Sequence, residues 1–249
     1  MEKIIISTSD SVSGIIVGGR WEAVVKLLPP DDVVIITDTN VFDIYGKRFP
    51  DFPVFKIRPG EASKQIKTIE SLAGKLLNKG FDRNCFVLGI GGGVVCDITG
   101  FLASIFMRGI RFGYVSTSLL SQVDASVGGK NGVNLGDTKN VIGTFSQPEF
   151  VICDTTMLQT LPEDEYFSGL GELIKTGIIG DRAIIETLEN NYEEVLRRDR
   201  DVLTHLVVKA VKYKASVVSK DEKEAGLRRV LNFGHTFGHA LEKTAGLSH

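Results

Sequence analysis

Cysteine, charge of one sign and long apolar runs are all scarce in this chain, and each scarcity argues against a class of protein. There are three cysteines, Cys85, Cys96 and Cys153, an odd number with no C-x-x-C pair. That speaks against a disulfide framework or a cysteine-ligated zinc site and for a reducing compartment, the cytoplasm. The opening residues MEKIIISTSD hold too short an apolar stretch for a secretory signal. The most apolar region, 85–107, is broken by Asp97 and rich in glycine, so it reads as a buried strand and helix and no membrane partner is expected. The 29 Lys and Arg against 31 Asp and Glu leave a formal net charge of -2 without a long run of either sign, which argues against nucleic acid as a partner. Local basic clusters can still hold a small anion.

What remains is an ordinary globular composition, 43% hydrophobic and 24% charged over 249 residues, enough to bury a large core in one or two domains. Short β-branched runs at 33–38, 53–57, 85–90, 112–118 and 150–154 read as strands. The amphipathic stretch 63–80 reads as a helix with Ser63 as N-cap and Gly80 as its stop. Strands alternating with helices imply a parallel sheet covered on both faces, with ligands at the carboxyl ends of the strands. From 163 onward the pattern is helical, 201–220 most clearly. The expected division is therefore an α/β domain over 1–158 and an all-α domain over 159–249, with Pro162 near the boundary and the helical pattern expected to continue past His249. There is no internal repeat or low-complexity tract.

Three segments carry chemistry. VLGIGGGVVCDITGF (87–101) is a strand, three glycines and a helix. Gly91, Gly92 and Gly93 allow close approach of a bulky anion to a helix N-terminus, although the spacing is not G-x-G-x-x-G and a plain tight turn gives the same pattern. The segment 117–140 is dense in small polar residues and glycine, with Asp124, Lys130, Lys139 and Asn140. It reads either as a mobile functional loop for a phosphorylated or carboxylated ligand or as surface decoration. Third, LNFGHTFGHALE (231–242) sets His235 and His239 four residues apart on one helix face. With Glu172 in an otherwise apolar helix they suggest a two-imidazole, one-carboxylate metal site. The alternative is a pair of hydrogen-bonded core histidines with Glu172 bridged to Lys175 or another cation. HTFGH lacks the glutamate of H-E-x-x-H, which disfavours a metalloprotease, and His205 reads as a structural residue of its helix.

Together these motifs resemble the 3-dehydroquinate synthase family of sugar-phosphate cyclases. The resemblance runs from PGEASK (59–64) to the end, through GGGVVCDITGF, RGI (108–110), TSLLSQVDASVGGKNGVN, KNVIGTFSQP, LPEDEYFSGLGELIKTGII and LRRVLNFGHTFGHALE. It implies a Rossmann-like NAD-binding α/β domain followed by an all-α metal-binding domain, a zinc or cobalt ion, a sugar-phosphate substrate and a homodimer. On this resemblance Glu61, Lys64, Gly92, Gly93, Asp97, Thr117, Ser118 and Lys139 line NAD. Glu172, His235 and His249 hold the metal, and Lys130, Asn140, Lys175, Lys214, Arg228 and Asn232 hold the substrate, faced also by Asp124 and His239. Arg108 matches an arginine that reaches the neighbouring subunit's site. The implied reaction converts 3-deoxy-D-arabino-heptulosonate 7-phosphate to 3-dehydroquinate and phosphate. A related cyclase, or a metal-dependent alcohol or glycerol dehydrogenase, is the alternative. Cys96 and Ser116 stand where the family often has glycine and proline.

Overall fold

The computed structural model describes residues 1–8, 11–136 and 138–245. The chain opens with an antiparallel hairpin, β1 (Glu2–Ser7) and β2 (Val12–Val17). It then alternates β3 (Val33–Asp38), α1 (Thr39–Tyr45), β4 (Val54–Ile57), α2 (Ile66–Asn78), β5 (Phe86–Gly91), α3 (Gly93–Ile105) and β6 (Arg111–Ser116). A second hairpin, β7 (Lys130–Leu135) and β8 (Thr138–Phe145), precedes the last strand β9 (Phe150–Cys153). The main sheet has the order β1-β2-β9-β6-β5-β3-β4, parallel throughout except for the β1–β2 pair.

All five expected strands are present. Their near-continuous apolar runs follow from burial on both faces. Val33, Ile35, Phe86, Leu88 and Ile90 point into one core with Trp21, Val24, Tyr45 and Met157. Val34, Ile36 and Val87 point into the other, beneath Leu72 and Leu76 of α2 and Ile98 and Leu102 of α3. That second core continues into the helices α4 (Glu163–Ile179), α5 (Arg182–Asn190), α6 (Tyr192–Leu196) and α7 (Arg200–Lys220), which are followed by α8 (His235–Ala245). Leu203, Leu206 and Val207 of α7 share it with Ile4 and Ile6 of β1 and Ile15 and Val17 of β2. The N-terminal hairpin therefore extends the sheet to carry α7. No strand follows β9 among the described residues.

Two local expectations are corrected. Ser63 is not the N-cap of α2: it sits in a 3-10 turn (Glu61–Ser63), its hydroxyl donates to the Arg58 carbonyl at 2.7 Å, and Gln65 takes the cap position. Gly80 does end the helix, with φ +81. The segment 117–140 is neither a loose loop nor surface decoration. It folds into a π-helical turn (Ser121–Ala125) and the β7–β8 hairpin, and Ser118, Ser121, Gln122 and Asn131 are buried. Polar side chains tolerate that burial because they bond to one another and to backbone. Ser116 Oγ donates to Ser121 Oγ at 2.5 Å, and Gln122 Nε2 donates to the carbonyls of Ser116 and Asp154 at 3.0 and 3.1 Å.

Helix α4 presses against this polar segment at Gly169. A Cβ there would meet Leu119 Cβ at 2.5 Å and the Leu120 nitrogen at 2.7 Å, whereas a Cβ on Gly171 would meet nothing within 4 Å. The two glycines should respond oppositely to alanine. Gly169→Ala should lower unfolding stability by about 1–3 kcal/mol through overpacking. Gly171→Ala should raise it by up to about 1 kcal/mol through helix propensity. Urea denaturation of both variants checks the pair, and equal responses would contradict the packing described.

Candidate functional site

The sheet reverses its winding between β3 and β5, so the crevice at their carboxyl ends is the natural ligand position. There β5 runs into the glycine turn and α3. Gly92 is an extended N-cap without a side-chain cap bond. A Cβ on Gly91 would meet the Val95 side chain at 2.5 Å, which is why the turn requires glycine. The end of β6 closes beside it: Thr117 N donates to the Gly91 carbonyl at 2.9 Å, and a Cβ on Gly92 would lie 3.3 Å from Ser118 Oγ. Gly92, Gly93, Thr117 and Ser118 thus form one surface.

Glu61, Lys64 and Asp97 gather next to it. Lys64 is buried and ion-paired with Asp97. Glu61 accepts from Asn134 Nδ2 at 2.7 Å, and Asn134 Oδ1 accepts from the Asn140 backbone N at 2.8 Å, so the β7–β8 hairpin is tied to the start of α2. Asn140 and Lys139 are exposed at that hairpin, Asn140 with φ +56. Burial raises the Asp97 carboxyl and outweighs the Lys64 ammonium, pushing it to about 6.

A second cluster lies where the π-helical turn meets α4 and α7. Lys214 Nζ donates to Asp124 Oδ1 at 2.5 Å and to the Asp124 carbonyl at 2.7 Å. Burial alone would raise the Asp124 carboxyl, but Lys214, Lys175 and His235 together hold it well below the usual carboxylate range. Burial likewise pulls Lys214 down, against the pull of Asp124. Glu172, 7% exposed, ion-pairs with Lys175 through Oε2 and lies 3.5 Å from His235 Nε2 through Oε1. The acidic helix and the imidazole-bearing one therefore converge, and the Lys175 bridge offered as the alternative to a metal is present as well. Beyond that ion pair, neither Glu172 Oε2 nor Lys175 Nζ has a partner in hydrogen-bond geometry among the described residues.

A third group closes the other side. Arg228, 2% exposed, donates to the carbonyls of Gly128 (2.8 Å) and Glu222 (2.5 Å), bracing the approach to β7 against the 221–228 loop. Lys130 and Asn232 both bind the Glu224 carboxylate. Arg108 is not brought to any of these groups. It is exposed with φ +69 at the far end of α3, a helix of 13 residues and hence about 20 Å long. His249 and the side chain of His239 lie outside the described residues. His205 is on the exposed face of α7, lining a surface cavity of about 550 Å³ with Lys209, Lys212 and Tyr213.

Glu172 Oε1 beside His235 Nε2 is a carboxylate–imidazole donor pair suited to a zinc-like cation, while Oε2 faces Lys175. Among the described residues no group of three or more His, Cys, Asp or Glu could hold a metal ion. Sequence reading missed Asp38, which ends β3 beside the glycine-turn strand. Its carboxylate accepts from Val41 N at 2.9 Å, and burial raises it. The signal was obscured because this acid precedes the glycines in the chain, whereas the dinucleotide fingerprint seeks it about 20 residues after them. Glu224 and Gln147 were missed too, since neither stands out in composition or spacing.

Fold and site together define a nucleotide-binding type of α/β sheet joined to a helical half across a buried carboxylate–ammonium–imidazole cluster. A family model described as 3-dehydroquinate synthase N-terminal matches residues 54–168, and one described as 3-dehydroquinate synthase C-terminal matches 169–249. The chain belongs to the 3-dehydroquinate synthase family. It is 42% identical to the 3-dehydroquinate synthase of Alkaliphilus metalliredigens (strain QYMF), covering 97% of this chain and 70% of that one. It is 45% identical to the 3-dehydroquinate synthase of Dictyoglomus thermophilum over 85% of this chain, and the matched stretch spans 60% of that relative's length. Among solved structures it is similar to 2-deoxy-scyllo-inosose synthase complexed with carbaglucose-6-phosphate, NAD+ and Co2+, at a TM-score of 0.82 and 26% identity over 100% of this chain and 72% of that chain.

The raised Asp97 carboxyl gives this site a pH signature. The folded protein keeps the proton up to about pH 6, whereas an unfolded aspartate releases it near 3.8. Asp97 therefore favours folding below the lower value, and that contribution is lost as pH rises to about 6. Asp97→Asn should remove this part of the slope, so its stability relative to the parent should rise with pH across the window. Denaturant titrations of both proteins at a series of pH values measure it, and parallel profiles would contradict the assignment.

Proposed function

We propose that this chain carries out the NAD- and divalent-metal-dependent conversion of 3-deoxy-D-arabino-heptulosonate 7-phosphate to 3-dehydroquinate and phosphate, a carbon–oxygen lyase step on the shikimate route to aromatic amino acids. The observation that carries the reading is the convergence of Glu172, Lys175, His235, Asp124 and Lys214 beside the glycine turn, in a member of this family. In this reading residues 1–158 form the NAD-binding unit and 159–249 the metal- and substrate-binding unit.

Bound NAD would supply reversible hydride transfer, and a bound zinc or cobalt ion would supply Lewis acidity toward a sugar hydroxyl. The chain's own residues bind and orient. Gly92, Gly93, Thr117 and Ser118 take the pyrophosphate side of the cofactor, with Glu61, Lys64, Asp97 and Lys139 around them and Asp38 placed for a ribose hydroxyl. Glu172 and His235 hold the cation, with His249 as a third ligand. Asp124 stays ionised, so it accepts a hydrogen bond from a sugar hydroxyl and does not serve as an acid. Lys130, Lys175, Lys214, Asn140 and Asn232 face the phosphate, carboxylate and hydroxyls. Arg228 acts chiefly through the backbone it braces.

Two copies pair so that Arg108 of one reaches the site of the other. Its exposure on a left-handed corner far from its own glycine turn supports this. No helix among the described residues is long and apolar enough to cross a membrane, and the three cysteines are free and buried. Both observations suit a cytoplasmic enzyme.

Phosphate release from the heptulosonate, with and without a chelator, tests the reading. Glu172→Ala should lower turnover by more than about 100-fold and bound metal to well below one ion per chain, while NAD affinity stays within about twofold. Full turnover in that variant, or steady accumulation of NADH with a polyol, would count against the cyclase.

A further inference from the structure

Glu224 belongs to none of the motifs described above, yet it sits between two residues assigned to the substrate. It lies in the loop joining α7 to the 3-10 turn (Leu227–Asn232) before α8, with φ +59. Glycine adopts that conformation freely and glutamate does not. The loop is built to hold it there. The Asp221 carboxylate accepts from the backbone N–H groups of Ala225 (2.8 Å), Gly226 (2.8 Å) and Arg228 (2.9 Å). Arg228 in turn ties the loop to the Gly128 carbonyl. The Glu224 side chain is 18% exposed, and its two oxygens are divided. Oε2 binds the Lys130 ammonium at the start of β7, and Oε1 binds the Asn232 amide.

We propose that Glu224 is a positioning residue whose carboxylate holds Lys130 and Asn232 side by side as one binding pair for the phosphate or carboxylate of the substrate. The inference rests on the cyclase reading and deepens it. Lys130 ends in a flexible four-carbon stem close to other cations, and without a fixed counter-charge its ammonium would turn to solvent. Ordering such a side chain at the moment of binding weakens affinity, and an ordered pair removes that penalty. A carboxylate beside the ligand also repels a bare anion, so the pair favours a ligand that engages both the cation and the amide. Because Lys130 and Asn232 grip parts of the substrate alike in ground and transition states, Glu224 governs KM and leaves kcat nearly alone.

Glu224→Gln keeps the side chain's size, and Glu224→Gly suits the left-handed backbone, so the glycine variant should fold at least as stably as the parent. Lys223→Ala, an exposed neighbour, is the control. In the full chain with NAD and cobalt, both Glu224 variants should raise KM for the heptulosonate about tenfold or more, with kcat within about twofold. The dissociation constant for inorganic phosphate, by calorimetry on the NAD-loaded protein, should rise in parallel, and Lys223→Ala should match the parent. If the parent releases no phosphate from the heptulosonate, the cyclase reading fails while the calorimetry still reports on the pair. Unchanged phosphate affinity in both variants, or a loss confined to kcat, would overturn the role of Glu224.

Discussion

Lys214 enters the interior on α7, and its ammonium meets the carboxylate and the carbonyl of a single residue, Asp124. Both bonds end on a π-helical turn, so one side chain fixes that turn against a helix from the other half of the chain. A buried ion pair of this kind is a poor source of net stability, since desolvating two charges offsets most of their attraction. Losing one partner is another matter: the charge left behind costs about 3–5 kcal/mol. Such a contact specifies more than it stabilises. Here it specifies where Asp124 stands relative to Glu172, Lys175 and His235, and the rest of the cluster follows from that placement.

The electrostatic balance points the same way. Lys175, Lys214 and Arg228 are buried among Asp124, Glu172 and Glu224, with Lys130 half exposed at the rim. Asp221 and Glu222 also act on Arg228, so the charges are closely balanced, and among the described residues Glu172 Oε2 and Lys175 Nζ have no hydrogen-bond partner beyond their mutual ion pair. A purely structural network would satisfy these atoms. A carboxylate whose oxygens meet only one ammonium and one imidazole keeps lone pairs for a metal ion, and the ammonium groups around it suit a polyanionic ligand.

The central strands were legible because burial on both faces leaves continuous apolar runs, as in VVIITD and CFVLGI. The hairpins were not. β1 carries Ile4 and Ile6 inward but leaves Ile5 half exposed, so a short edge strand looks like an apolar leader. β7 and β8 are rich in Asn, Gly and Lys because their backbone packs against α3 and because Asn131 accepts from Tyr114 Oη at 2.8 Å. Composition reads that as a loop. For the site, the residues read as chemistry were those with unusual type in an apolar context, Glu172 above all. Glu224 and Gln147 escaped, since their meaning lies only in partners far along the chain: Lys130 for the first, and for the second Glu222, whose Oε1 accepts from Gln147 Nε2 at 3.0 Å.

Backbone strain separates function from architecture more sharply than either pattern. Among the described residues six that are not glycine have positive φ: Asp32, Met107, Arg108, Asn140, Arg198 and Glu224. Each such conformation disfavours an L-residue by about 1–2 kcal/mol, so something must hold it. For two of them the reason is architectural. The Asp32 carbonyl accepts from Phe86 N at the start of β5, and Arg198 donates to the carbonyls of Leu158 and Leu161 while lying over the Tyr166 ring. The remaining four gather at the three places the proposed reaction uses: the corner that presents Arg108, the hairpin residue Asn140, and the loop that presents Glu224. Glycine would fit all four backbones without strain. The side chains kept there are an amide, a guanidinium and a carboxylate, together with the half-exposed thioether of Met107 beside Arg108. Three of the four are polar groups that could meet a ligand or a second copy, and strain held at such positions is the mark of a conformation maintained for what the side chain reaches.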